Sequence, residues 1–138
     1  MKKKFFIVLL MLITTFAFAQ ADDRLNGTWT ASRGSIRRYN NGSYESTIKD
    51  LDYVDILIKG YYITRGNFVI THIPTHVLYP KISQGWLSKS GAEHITKHSH
   101  RYVLDFFNET TFSYTISENT LILQSNNGNP PWVWTKIR

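Results

Sequence analysis

The sequence contains no cysteine. That excludes disulfides, thiolate metal ligands, a cysteine nucleophile and a lipid attached to a processed N-terminal cysteine. Small secreted eukaryotic domains are ordinarily stapled by disulfides, so their absence favours a bacterial exported protein. No apolar run reaches the roughly 18–20 residues that cross a bilayer. The chain also lacks a Gly-x-Ser-x-Gly elbow that would expose a serine nucleophile. Internal repeats and low-complexity segments are missing too, and one domain accounts for the length.

The charge that is present shrinks on inspection. The formal net charge is +6. Met1-Lys2-Lys3-Lys4 followed by the apolar stretch Phe5 to Thr15 and by Ala17-Phe18-Ala19 reads as a signal peptide over residues 1–19, cut before Gln20. Three of the sixteen Lys and Arg residues leave with it, so thirteen face ten Asp and Glu, a balance of +3. The remaining basic residues are scattered. Arg33, Arg37 and Arg38 come nearest to a cluster, and they read as the solvated face of a hairpin. A nucleic-acid surface is therefore not expected. The mature chain, residues 20–138, is expected to be free of any membrane anchor in the periplasm or outside the cell.

Period-two alternation dominates the mature chain and predicts half-buried strands. Phe112-Ser113-Tyr114-Thr115-Ile116-Ser117 places rings and aliphatics on one face and hydroxyls on the other. Glu118-Asn119 turns the chain into Thr120 to Gln124, and Trp132 to Ile137 forms the last strand. Earlier strands are predicted over Gly27 to Ser32, around Val54 to Ile63, over Phe68 to Ile73 and over Tyr102 to Phe107, with hairpin turns at Asn40-Asn41-Gly42 and Arg65-Gly66-Asn67. Pro80 to His100 breaks the alternation and reads as a long loop with a short helix around Ala92 to Lys97. Seven to nine such strands predict an all-β antiparallel barrel or sandwich.

Leu25-Asn26-Gly27-Thr28-Trp29 resembles the Gly-x-Trp motif that opens the first strand of lipocalins and their calycin relatives. The hairpin Tyr114 to Leu123 is similar to the closing hairpin of small bacterial lipocalin-like domains. The resemblance implies a single up-and-down β-barrel over residues 20–138. It also implies that Gly27 bends the chain, that Trp29 plugs the closed end, and that Lys136 or Arg138 packs across that indole. It further implies a binding protein for a small apolar or amphipathic ligand.

Candidate ligand-contact residues are Tyr61, His72, Trp86 and Tyr114. His72 falls on the face of Phe68 and Ile70 and reads as a buried, hydrogen-bonded histidine able to orient a polar group. One aromatic from each of Tyr61-Tyr62 and Trp132-Val133-Trp134 faces the interior. Trp86 sits in the long loop as a lid or contact residue. His94, His98 and His100 are the only metal-like spacing. No acidic partner completes it and Lys89, Lys97 and Arg101 surround it, so exposed loop histidines are the expectation. No cofactor, metal or catalytic residue is expected. A filled barrel acting as an interaction or inhibitor module of the cell envelope is the alternative to a ligand carrier.

Overall fold

The computed structural model describes residues 21–66 and 68–137. The expected signal peptide, Asn67 and Arg138 lie outside the described residues. Nine strands follow the alternation: β1 (Gly27–Thr30), β2 (Ile36–Asn40), β3 (Ser43–Lys49), β4 (Asp55–Arg65), β5 (Val69–Leu78), β6 (Leu87–Ser88), β7 (Thr110–Ser117), β8 (Thr120–Gln124) and β9 (Trp132–Ile137). Between β6 and β7 lie a short helix, α1 (Lys89–Ile95), and a 3-10 segment, Arg101–Phe107.

All pairings are antiparallel, in the order β4-β3-β2-β1-β9-β8-β7-β5, and β4 pairs with β5 to close an eight-stranded up-and-down barrel. Closure removes the sheet edges that a β-rich chain would otherwise expose. The two-residue β6 pairs with the far end of β5, outside the ring. The β2–β3 hairpin turns on Asn41 and Gly42, both at positive φ (46° and 96°), as a two-residue turn of primed type requires. At Lys59/Gly60 the β4–β5 register shifts, and Gly60 lies so close to β5 that an added Cβ would meet the Ile73 carbonyl oxygen at 2.1 Å.

The closed end follows the motif. Gly27 adopts φ +132°, and a Cβ there would come within 2.7 Å of the Lys136 side chain. Lys136 Nζ lies 5.5 Å from the Trp29 ring centre, and Trp29 Nε1 donates to the Leu25 carbonyl at 2.8 Å. Asp22 completes the plug, accepting from the Arg24 side chain at 2.6 Å and from the Tyr114 hydroxyl at 2.8 Å. The Arg24 guanidinium holds the Asp22 carboxyl down at about 2, with Tyr114 adding to the effect against the opposing cost of burial.

Two clusters make up the core. Leu25, Trp29, Tyr39, Tyr44, Tyr62, Ile70, Tyr114, Leu121, Leu123 and Trp134 fill the barrel. Each buried ring removes about 150–250 Å² from water, roughly 4–6 kcal/mol of transfer free energy before entropy is counted. The second cluster joins Ile56, Val77 and Tyr79 to Ala92, Val103 and Phe107, so the excursion between β5 and β7 covers the inner face of the β4–β5 extension. α1 is capped by the Ser88 hydroxyl, which accepts from the Gly91 amide. Among the described residues no helix is long and apolar enough to cross a membrane.

Four expectations are corrected. Tyr102 to Phe107 is a 3-10 turn, because its buried residues are Val103 and Phe107, four apart, and not an alternating set. β1 ends at Thr30, where Ser32–Gly34 forms a short 3-10 turn. β5 begins at Val69, with Phe68 in the turn at φ 57° and half exposed. Arg37 is not on a solvated face: it is partly buried on the inner side of β2, opposite Trp29 and Ser46.

Candidate functional site

Inside the barrel, side chains of five strands meet around His72. The Tyr39 hydroxyl lies 2.6 Å from His72 Nε2, and the Tyr44 and Phe112 rings meet the imidazole edge to face at 4.9 and 5.9 Å. Tyr39 in turn packs edge-on against Tyr62 at 4.9 Å. Arg37 Nη1 makes a long 3.5 Å contact to the Tyr39 hydroxyl. The Tyr39 hydroxyl and His72 Nε2 share one hydrogen bond, whose donor is set by the imidazole tautomer. Burial, with the Arg37 charge adding to it, pushes the His72 pKa well below its ordinary value, so the ring is neutral. Burial raises Tyr39, and Tyr44 to about 12.

Among the described residues three buried polar atoms in this interior have no hydrogen-bond partner: His72 Nδ1, the Tyr62 hydroxyl and Trp134 Nε1. The Gly42 amide offsets part of the burial effect on Tyr62 but completes no hydrogen bond with it. The hydroxyl and the indole N–H are donors, and Nδ1 donates or accepts according to the tautomer. Aromatic rings pack around them.

The open end is built differently. Trp132 and Trp134 are two apart on one face of β9 and stack at 6.0 Å with their planes 21° apart. The Arg37 guanidinium lies 4.7 Å from the Trp134 ring centre. Among the described residues no carboxylate pairs with Arg37. Trp134 thus meets both Arg37 and Trp132. Trp134 is fully buried and Trp132 is 51% exposed.

Trp132 stands between two open grooves. One, of about 560 Å³, lies between Trp132, Phe112 and the Asn126 to Asn129 loop. The other, of about 510 Å³, runs along Pro130, Pro131 and Val133 toward Ala31 and Ser32. Neither carries an ionisable side chain. The outward positions of β1, β7, β8 and β9 continue the pattern, with Thr28, Ser113, Thr115, Ile122, Val133 and Thr135 among them and no charge. Two further grooves, near Arg38 and Glu45 and near Lys49 and Asp50, are charged. The loop at the rim is braced by its own bonds: Gln124 Nε2 donates to the Ser125 and Asn129 carbonyls, and the Asn127 side chain accepts from Ser125 Oγ and from the Asn129 amide.

The candidate contact residues separate. His72 and Tyr114 are both buried in the interior. Tyr61 points outward beside Ile73, and its neighbour Tyr62 is the interior one. Trp86 is 37% exposed and packs against Lys59, whose Nζ is 4.2 Å from the ring centre, on the outer side of β4. His94, His98 and His100 are exposed, and among the described residues no group of three His, Asp or Glu side chains could hold a metal ion. Sequence reasoning noted that Trp132 and Trp134 share a strand but not that they stack, and it set Arg37 aside as surface charge.

No protein-family model matches the chain, and no curated protein matches its sequence. Among solved structures the chain is similar to an uncharacterized protein from Bacteroides eggerthii DSM 20697. The match has a TM-score of 0.52 and 16% identity, and covers 82% of this chain and 99% of that one. At that identity the likeness is one of fold. The eight-stranded antiparallel barrel is consistent with the lipocalin-like architecture that the Gly-x-Trp resemblance implies.

Proposed function

We propose that the protein is an exported, non-catalytic binding module that meets its ligand on the rim of the open end, and not a carrier that holds an apolar molecule inside the barrel. The observation that carries this reading is Trp132: half exposed, clamped on a buried indole, and set between two uncharged grooves. An aromatic side chain fixed in its bound orientation loses little entropy on binding. The interior supports the same reading, because Trp29, Tyr39, Tyr44, Tyr62, Tyr114 and Trp134 are all buried there in one packed cluster. Export rests on the signal-like N-terminus.

Site-specific photo-crosslinking in cells that produce the protein tests the reading. Benzoylphenylalanine at Val133, beside Trp132, is expected to form adducts, whereas the same probe at Glu45 on the opposite wall forms none. Equal labelling at both positions, or none at Val133, would overturn the rim. A small apolar molecule retained at one per barrel in native mass spectrometry would restore the carrier.

A further inference from the structure

We infer that the rim binds a neutral saccharide chain, laid across the Trp132 indole with one sugar unit on the ring and its neighbours in the two flanking grooves. This inference rests on the rim reading above and names its ligand class. Three features carry it.

The first is the platform. An exposed, immobilised indole offers a flat apolar face to the C–H face of a pyranose ring. The stack on Trp134, itself backed by Arg37, keeps that face from turning. Both grooves open onto Trp132, which suits an internal stretch of a chain better than a single sugar.

The second is the polar lining. The groove beside Phe112 presents amide and hydroxyl groups, Asn126, Asn129, Ser125 and Thr110 among them. Among the described residues the Asn126 and Asn129 side-chain amides find no hydrogen-bond partner, while Asn127 is engaged in holding the loop. An amide is donor and acceptor at once, and so is a sugar hydroxyl. The groove's volume of about 560 Å³ lies within the roughly 300–1,000 Å³ typical of small-molecule sites.

The third is charge. Neither groove holds a cation to recognise a phosphate, sulfate or carboxylate, nor an acid to recognise an ammonium group. Arg37, the cation that meets the indole pair, is partly buried against Trp134 and lines neither groove. The interior is lined by packed aromatic rings, and the two rim grooves are the uncharged open surfaces that remain to be matched. A neutral, polyhydroxylated chain matches what remains.

The test is calorimetric titration of the protein without its leader against neutral hexasaccharides of glucose, xylose, mannose and N-acetylglucosamine, with polygalacturonate and palmitate as charged and apolar comparisons. At least one neutral chain is expected to bind, with a shift in tryptophan emission. Trp132→Ala should weaken it by about tenfold or more, the loss of a central aromatic anchor. Asn126→Ala should weaken it less, and Trp86→Ala should leave it unchanged. Circular dichroism of each variant checks that the barrel is intact. Failure of every neutral chain to bind at millimolar concentration would overturn the saccharide, as would binding that survives Trp132→Ala. If the panel is silent while Val133 crosslinks to a protein, the saccharide falls and the rim stands. If both are silent, both fall.

Discussion

His72 is the residue whose surroundings constrain it most. It is enclosed by Tyr39, Tyr44 and Phe112, and the nearby Arg37 opposes a second positive charge. Its pKa is depressed in the folded state, so below the ordinary value of about 6.5 the unfolded chain binds the proton more readily than the native one. Its contribution to stability is therefore complete above about pH 6.5 and declines below it, by at most about 1.4 kcal/mol per pH unit. Urea unfolding of the protein at pH 7.5 and pH 5 should show the decline, and His72→Gln should flatten it; an unchanged slope would refute the assignment. Asp22 acts in a separate window. Its depressed pKa of about 2 keeps its contribution intact above about pH 4, to be lost as pH falls toward 2.

At the scale of elements, two glycines show how differently the wall tolerates a methyl group. At Gly60 an added Cβ meets the Ile73 carbonyl oxygen at 2.1 Å and the Pro74 backbone at 2.9 Å, so β4 and β5 would have to separate at their register shift. At Gly27 the atom in the way is Lys136 Cε, at the far end of a flexible side chain, and the main cost is the positive φ. Gly60→Ala is thus expected to cost more than about 3 kcal/mol, and Gly27→Ala about 1–2 kcal/mol. Chemical denaturation of the two variants checks the order, and Gly27→Ala emerging as the more damaging would contradict the packing described. The elements also show what the sequence made legible. β7, β8 and the Asn41-Gly42 hairpin could be read because alternation and turn chemistry are local. Tyr102 to Phe107 misled because five hydrophobic residues in a run of six fit either period, and only packing against β5 selects the helical one. Arg37 was unreadable for a related reason: two adjacent arginines on a strand face opposite sides, and charge alone does not say which one goes inward.

For the whole molecule, the filled barrel and the uncharged rim point the same way. Arg38, Glu45, Lys49, Asp55, Lys59 and Arg65 lie on the outer side of β2 to β4, whereas the outer side of β7 to β9 has no charge. Gly-x-Trp and the strand count foretold the barrel, but not whether its interior was empty, since that depends on which ring of each aromatic pair turns inward. Palmitate is accordingly expected not to bind in equilibrium dialysis, and stoichiometric uptake would show that the interior opens. Edman sequencing of protein recovered from the producing cells should begin at Gln20; a start at Met1 would remove the basis for export. The paired indoles on β9 have one more use. Chromophores so close couple their excited states, so circular dichroism should carry a band that belongs to the rim alone. That makes the binding surface its own optical reporter, readable without a label, and a Trp132→Phe variant would switch it off while keeping an aromatic ring in place.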